Sequence, residues 1–230
     1  LVAADDALAF ADFRYYHERT FDDAIPARLA GLWGVTDYRP QMYFEGGNFI
    51  TDGEGRCYMT QGGYWENPDA TEAEVEQVLK DYLGCKQIIV LKPLDGEGTT
   101  HIDMFSKLVA PDRFVLGRYG TDVDPVNAKV LDDDRDILSA VDLGEGKTMQ
   151  VFRIAMPSNA GDGDKVWRTY TNSTFVKPVN IWPTYSDWQD TQKSAANTWK
   201  TAMPDWKHVG VLSDEIITWG GAMHCVSRNI

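Results

Sequence analysis

The feature that most constrains how this chain folds is a repeated order of patterns: a hairpin, an amphipathic helix and a short β-rich segment. The helical pattern is plainest over 71–84, where Thr71 and Glu74 match a capping box and Gly84 supplies a stop. Three weaker helical patterns follow the same design, at 22–32, 126–140 and 187–202. The four helices begin about 50 to 60 residues apart, an interval that is long for a solenoid and suits a ring of small α/β modules.

Strand and turn patterns complete each unit. The predicted strands that follow the helices cover 41–44, 87–91, 149–155 and 208–212. Hairpins are predicted after the first three of these strands, at 48–60, 101–116 and 169–185. The two end segments, 1–13 and 224–230, match hairpins that are each cut short. We therefore expect both ends of this chain to fall inside a repeat of a longer polypeptide.

A ring of such modules brings together segments that are distant in sequence. The loops between each strand and the following hairpin would point at a common axis. The pattern therefore predicts one α/β domain over 1–230, built as an incomplete ring of hairpin, helix and strand units. An ordinary α/β sandwich with coincidental spacing is the alternative that the pattern leaves open.

Composition limits the partners of the chain. Its 22 Lys and Arg against 35 Asp and Glu give a formal net charge of -13, which disfavours nucleic acid and anionic lipid and favours a cationic substrate. The longest apolar runs, such as 88–91, are far shorter than the roughly 20 residues of a membrane-spanning helix, so no membrane partner is expected. Three widely spaced cysteines allow at most one disulfide and form no zinc motif.

Chemically useful side chains occur in the segments that are predicted to converge. His101 and Asp103 stand two residues apart at the start of a predicted strand, so their side chains point to the same side. Cys225 follows a Gly-Gly pair near the end of the chain. An imidazole with a carboxylate beside it, facing a cysteine, is an arrangement for catalysis by a thiolate. His224 would face away from Cys225 on a strand, and we expect it to have a structural role.

Three ordered motifs carry a family resemblance. They cover 45–55, then 101–103 with 110–112, and finally 221–225. In this order they are similar to the signatures of the bacterial peptidylarginine deiminase and agmatine deiminase family, which belongs to the guanidine-modifying enzymes. The resemblance spans essentially the whole chain. It implies the pentein fold, a pseudo-five-fold α/β propeller with the active site on the ring axis.

The resemblance also implies residue roles. Cys225 would be the nucleophile, His101 the general acid/base, and Asp103 a carboxylate that grips the substrate guanidinium. Asn172 would line the pocket, and no cofactor is implied. The family carries an earlier W-x-R-D-x-G-P motif whose Asp is the second guanidinium-binding carboxylate. That motif is absent here, and we expect it in a segment of the same protein before Leu1.

Two substrate classes remain open. Arg14 and Arg19 lie on a segment that resembles the one binding the C-terminal carboxylate of a peptide, which favours conversion of peptide arginine to citrulline. Surface pairing of both arginines with nearby acidic residues is the alternative. Agmatine, which has no carboxylate, is the second substrate and would give N-carbamoylputrescine. Without the first carboxylate, the chain could instead be a binding module that holds guanidinium groups without hydrolysing them.

Two further expectations concern calcium and compartment. The acidic run 132–136 is interpreted as a solvated helix start, with a structural calcium site as the alternative. The compartment would follow the substrate, because a peptidylarginine deiminase acts outside the cytoplasm, in the periplasm or extracellular space, and an agmatine deiminase within it.

Overall fold

Four three-stranded sheets follow one another along the chain. The computed structural model describes residues 2–4, 7–157 and 166–227. In each sheet the first two strands form an antiparallel hairpin, and the third returns through a helix to pair parallel with the second. The predicted unit of hairpin, helix and strand is therefore present four times.

The strands and helices of the four units have the following bounds. The strands are β1 (Val2–Ala4), β2 (Ala7–Ala11), β3 (Thr36–Tyr38), β4 (Ile50–Thr51), β5 (Arg56–Thr60), β6 (Gln87–Leu91), β7 (Ser106–Ala110), β8 (Arg113–Arg118), β9 (Gln150–Ala155), β10 (Thr174–Val176), β11 (Val179–Thr184) and β12 (Lys207–Leu212). The helices are α1 (Thr20–Asp23), α2 (Ile25–Trp33), α3 (Gly62–Trp65), α4 (Glu72–Leu83), α5 (Pro125–Ser139) and α6 (Gln189–Ala202). None of the described helices combines the length and the apolar character that crossing a membrane requires.

Helix α4 illustrates how the sequence sets the ends of an element. The Thr71 hydroxyl accepts the backbone N–H of Glu74 at 3.3 Å, and the Glu74 carboxylate accepts the Thr71 N–H at 2.8 Å. These two bonds close the predicted capping box. At the other end Gly84 has φ of 70°, the left-handed conformation that glycine adopts without steric cost. Val75 and Leu79 are buried and hold the helix on its sheet.

The core consists of two clusters. The larger is shared by the last three units and contains buried aromatic rings such as Phe114 and Trp199. In the smaller cluster, Cys57 of β5 and Cys85 after α4 form a disulfide with an S–S distance of 2.06 Å. The bridge agrees with the expectation of at most one disulfide, and it leaves Cys225 as a free thiol.

The predicted strand at 41–44 is wrong. The first unit uses β3 instead, which ends before Pro40. Proline has no backbone N–H and interrupts the ladder at that point. Tyr43 keeps only an isolated bridge with Arg14, and the Phe44 N–H reaches the Arg14 carbonyl at 3.2 Å. The residues after Pro40 therefore connect the first sheet to the loop that precedes β4.

The acidic run 132–136 lies in the interior of α5, not at its start, because the helix already begins with a proline in its first turn. Asp134 is buried and accepts the backbone N–H of Lys92 at 2.9 Å. Asp133 pairs with Lys92 Nζ at 2.8 Å, and Asp132 pairs with Arg153 at 2.7 Å. Two carboxylates of the run are therefore paired with protein cations, and Asp134 is paired with a backbone amide. Among the described residues, no group of three or more His, Cys, Asp and Glu side chains is placed to hold a metal ion.

The end of the described chain is irregular. After β12 it forms a short 3-10 helix, Ile216–Trp219, and then turns up to residue 227. The predicted hairpin 224–230 therefore begins as a turn, and its last three residues lie outside the described part, as do Leu1, Asp5 and Asp6 of the first hairpin.

Candidate active site

A cavity of about 590 Å³ lies where loops of several units meet. Its lining includes Tyr15, Glu45, His101, Asp103, His224 and Cys225. Glu45 precedes β4, the His101 segment precedes β7, and the Cys225 loop follows the fourth unit. The predicted convergence of segments that are distant in sequence is therefore observed for these three loops.

Asp103 is 1% exposed, and only one of its two carboxylate oxygens has hydrogen-bond partners among the described residues. Its Oδ2 accepts Asn172 Nδ2 at 2.9 Å and lies 2.6 Å from His224 Nδ1. Its Oδ1 has no hydrogen-bond partner among the described residues. A buried carboxylate oxygen without a donor is energetically costly. The arrangement suits a cationic ligand that donates hydrogen bonds from the cavity.

The His101 segment is not the strand that the sequence predicted. Ile102–Met104 form a short 3-10 helix, and β7 starts only at Ser106. The Met104 N–H reaches the His101 carbonyl at 3.3 Å, which closes a tight turn. Both His101 and Asp103 border the cavity, but the cause is this turn and not the alternation of side chains along a strand.

Asn172 is fully buried, so it lies beneath the cavity instead of at its surface. Its Oδ1 accepts the backbone N–H groups of Ala222 at 2.9 Å, His224 at 3.1 Å and Cys225 at 3.3 Å. Its Nδ2 donates to Asp103 Oδ2 at 2.9 Å and to Cys225 Sγ at 3.1 Å. One side chain therefore ties the cysteine loop to the buried carboxylate.

The Cys225 residue is exposed, but its sulfur lies against buried polar groups. Sγ is 3.1 Å from Asn172 Nδ2 and 3.7 Å from Asp103 Oδ2. Burial of the thiol, followed by the negative charge of Asp103, raises the pKa of Cys225 to about 12, against a lowering contribution from Asn172. The thiol is therefore protonated at neutral pH in the empty cavity.

Glu45 is the partner of His101 and was not among the predicted site residues. The Glu45 carboxylate accepts a hydrogen bond from His101 Nε2 and another from the Tyr16 hydroxyl at 2.7 Å. Burial lowers the pKa of His101, but the Glu45 hydrogen bond and the charge of Asp103 outweigh it, so the net shift is upward. These contacts therefore favour the imidazolium form of His101 more than water does. The sequence signal was the glutamate that opens the 45–55 motif.

His224 does not have the outward orientation that the sequence predicted. It lines the cavity, and its Nδ1 lies 2.6 Å from Asp103 Oδ2. The expectation assumed a strand, in which neighbouring side chains alternate. Residues 223–226 form a turn instead, and a turn brings His224 and Cys225 to the same cavity.

Two glycines are required by the packing of the site. A Cβ on Gly47 would lie 2.4 Å from His101 Nδ1, and a Cβ on Gly221 would lie 2.4 Å from Cys225 Sγ. Any side chain at either position would therefore displace the imidazole or the thiol. The glycines therefore make room for these two side chains.

Arg14 and Arg19 do not line this cavity. Arg19 pairs with Asp22 at 2.7 Å, the alternative considered from the sequence, and Arg14 donates to the side chain of Gln41. A neighbouring pocket of about 130 Å³ is lined by Arg14 and also by Tyr15, which borders both spaces. The two arginines are therefore near the cavity without entering it.

Comparison with known proteins places this chain in a family. The sequence profile of the family described as Porphyromonas-type peptidyl-arginine deiminase matches residues 6–230. A Vibrio parahaemolyticus protein named "Putative agmatine deiminase" is 27% identical over 232 residues, which cover 91% of this chain and 64% of the relative.

Two solved structures have the same fold. The agmatine deiminase of Enterococcus faecalis gives a TM-score of 0.83 at 24% identity, over 95% of this chain and 68% of that chain. A Porphyromonas gingivalis protein described as "Putative Arginine Deiminase" gives 0.84 at 24% identity, over 97% and 70%. At this level of identity the likeness demonstrates a shared mixed α/β fold.

The profile match establishes the family. The chain spans only 64% of the length of the Vibrio relative. The matched region nevertheless covers almost all of this chain, and it contains the three motifs in their expected order. The chain therefore belongs to the Porphyromonas-type peptidyl-arginine deiminase family of guanidine-modifying enzymes.

Proposed function

We propose that the cavity is the active site of a guanidine hydrolase, a deiminase that converts a guanidinium group into a ureido group and releases ammonia. The observation that supports this most directly is the buried Asp103 Oδ1, which has no partner among the described residues and adjoins a cavity that contains the Cys225 thiol. A guanidinium is planar, cationic and rich in N–H donors, so it satisfies this oxygen. Family membership supports the same chemistry.

In the proposed reaction, the Cys225 thiolate adds to the guanidinium carbon and a C–S bond forms. Protonated His101 gives its proton to one nitrogen, and the C–N bond breaks with loss of ammonia, which leaves an S-linked thiouronium. A water molecule then adds to the same carbon while neutral His101 accepts one of its protons. The C–S bond then breaks with its electron pair returning to sulfur, the remaining hydroxyl proton is lost to solvent as the C=O forms, and the neutral ureido product leaves. Neither step calls for a metal.

The substrate supplies the charge that activates the thiol. With a pKa raised to about 12, Cys225 is neutral in the empty cavity at pH 7. A guanidinium bound to Asp103 neutralises that carboxylate and brings positive charge close to Sγ, and both effects lower the thiol pKa. The thiol proton is then lost to solvent before the C–S bond forms.

A small guanidine such as agmatine is the first substrate that we propose, with N-carbamoylputrescine as the product. The named relatives support this choice, because they are called agmatine deiminases. The engagement of Arg19 with Asp22 also supports it, since a guanidinium already paired with a carboxylate is a weaker anchor for a peptide. The names of the relatives favour this alternative over the peptidylarginine reading.

Arginine within a peptide is the second candidate. The observation that favours it is the small pocket beside Tyr15, where Arg14 lies next to the proposed site. A carboxylate in that pocket would be close to a guanidinium in the main cavity, because Tyr15 lines both. The description of the family profile agrees with this candidate.

We further propose that the four units belong to a five-unit α/β propeller. Their common strand order supports this arrangement. The second guanidinium-binding carboxylate would come from a segment of the same protein that precedes this chain. Asp103 would then form one side of a two-carboxylate clamp.

The test measures ureido product from the natural full-length protein on agmatine, free arginine, and two peptides with internal or C-terminal arginine. Turnover of agmatine supports the first candidate. Turnover of the C-terminal peptide that falls in Arg14→Ala, but not in Arg28→Ala on the exposed face of α2, supports the second. Binding of all four without product would identify a noncatalytic guanidinium-binding module.

A further inference from the structure

The residue before the proposed acid/base is held in an unfavourable backbone conformation. Thr100 has φ of 59°, in the left-handed region that β-branched side chains rarely occupy. Its neighbour in the chain is His101. Such strain persists only where surrounding contacts impose it, and it concentrates at functional sites.

Glu97 supplies those contacts. Its Oε2 accepts the Thr100 N–H at 2.7 Å and the Thr99 hydroxyl at 2.9 Å, while Oε1 accepts the Thr99 N–H at 3.0 Å. The side chain is 7% exposed, so these bonds are shielded from water. A carboxylate that accepts several N–H and O–H donors in a buried position fixes the backbone strongly.

The opposite side of Thr100 is fixed by the second unit. Thr60 Oγ1 donates to the Thr100 carbonyl at 2.6 Å. A Cβ on Gly62 would lie 2.1 Å from Thr100 Oγ1, so the threonine side chain occupies space that only glycine leaves open. Contacts on both sides therefore fix the conformation of Thr100, and the position of His101 depends on these contacts.

We propose that Glu97 is a positioning residue that holds Thr100 in its strained conformation and thereby places the His101 imidazole against the cavity. This inference rests on the proposed deiminase function. Glu97 does not line the cavity, and its carboxylate acts through the backbone of the Glu97–Thr100 loop. The charge of Glu97 is also one of those that favour the imidazolium form of His101. The negative charges of Glu45 and Asp103 also raise the pKa of His101. The positive charge of His101 in turn acts to lower the pKa of Glu66, although burial outweighs it there.

The experiment compares Glu97→Ala and Glu97→Gln in the full-length protein. Without the Glu97 carboxylate, His101 is misplaced, and kcat on the best substrate should fall by about 10- to 100-fold with KM changed by less than about 3-fold. Glutamine retains one accepting oxygen, so Glu97→Gln should lose less activity than Glu97→Ala. The control is Asp142→Ala, because Asp142 accepts the Gly144 N–H at 2.8 Å in an exposed turn that also contains a left-handed residue, Glu145.

A rescue variant separates positioning from general destabilisation. Glycine adopts positive φ without strain, so adding Thr100→Gly to Glu97→Ala should recover at least about 5-fold in kcat. Equal kcat values for wild type and Glu97→Ala, or a double variant no faster than Glu97→Ala, would overturn the proposal.

NMR titration of His101, assigned with His101→Asn, gives a readout that does not need turnover. The apparent pKa of His101 should fall in both Glu97 variants and stay unchanged in Asp142→Ala. If the wild-type protein has no deiminase activity but its Glu97 variants still show this lower His101 pKa, the proposed function is rejected and the positioning role of Glu97 is supported. An unchanged His101 titration in Glu97→Ala would overturn the positioning role of Glu97, whatever the activity.

Discussion

The side-chain amide of Asn172 donates a hydrogen bond to Cys225 Sγ at 3.1 Å. The same residue accepts three backbone N–H groups from the loop that carries the cysteine. A single buried side chain therefore sets both the position of the sulfur and the shape of its loop. Removal of that side chain should affect folding and chemistry together, whereas other changes in the site separate the two.

Replacing Asn172 with alanine removes the side-chain acceptor of the buried Ala222 N–H and of the part-buried Cys225 N–H, so we expect a loss of about 2 to 4 kcal/mol in the free energy of unfolding. Urea denaturation measures this loss. The matched control is Asn127→Ala, because Asn127 is also buried and accepts the Asp95 N–H at 2.7 Å, far from the cysteine. Both variants should be destabilised, but only Asn172→Ala should change the alkylation rate of Cys225. Identical alkylation in the two variants would contradict the role assigned to Asn172.

The raised pKa of Cys225 predicts selective alkylation. Below the thiol pKa of about 12, only a small fraction of Cys225 is thiolate, so neutral chloroacetamide should react slowly at pH 7. Chloroacetamidine carries a guanidinium-like cation that binds Asp103 and lowers the thiol pKa, so it should react at least about 10-fold faster. Mass spectrometry of the Cys225 peptide measures both rates. Equal rates at pH 7 would mean that the cavity does not activate the thiol through a bound cation.

Glu45 should control the alkaline side of the pH–rate profile. Its hydrogen bond helps to raise the pKa of His101, and the first step uses the protonated imidazole, so activity is lost as pH rises through that pKa. In Glu45→Gln the His101 pKa is lower, and the alkaline limb of kcat should move to lower pH. The control is Glu76→Gln, which removes a similar carboxylate from the Tyr64 hydroxyl at 2.9 Å, outside the cavity. An alkaline limb at the same pH in Glu45→Gln and wild type would show that Glu45 does not control the protonation of His101.

Asp134 predicts a pH-dependent stability that is independent of the site. Burial raises the pKa of this carboxyl to about 7, above its ordinary value, so the folded protein binds an extra proton between the two values. Stability is therefore lost as pH rises through about 7, and Asp134→Asn should be more stable than wild type at pH 8 by about 2 to 4 kcal/mol. The difference should shrink towards pH 4. Asp136→Asn, exposed on the same helix, should leave the pH dependence unchanged, and an unchanged dependence in Asp134→Asn would refute the assignment.

Local patterns predicted the units of this fold. The capping box and terminal glycine of α4 act within one element, and turn residues place the hairpins around β4, β7 and β10, so neighbouring residues were sufficient to locate them. The strand at 41–44 failed because β-rich composition does not decide which segment joins a sheet. Pro40 ended the ladder earlier, and the following residues were left beside Arg14.

The site was predictable only where a motif carried it. His101, Asp103 and Cys225 were found because each lies in an ordered motif, and the structure brings them to one cavity. The contact between Glu45 and His101 joins residues 56 positions apart in different units, so no local spacing reveals it. The orientation of His224 was missed for a related reason, because it depends on a turn that Asn172 holds through long-range hydrogen bonds.

The most direct test of the account is the rate of ureido product formation from agmatine by the full-length protein and by Cys225→Ser. We expect clear turnover by the wild type and a loss of at least about 1,000-fold in the variant, because a serine hydroxyl is far less acidic and nucleophilic than a thiol. Urea denaturation of the variant checks that it remains folded. A folded Cys225→Ser protein that keeps more than about a tenth of the wild-type rate would contradict catalysis by the Cys225 thiolate.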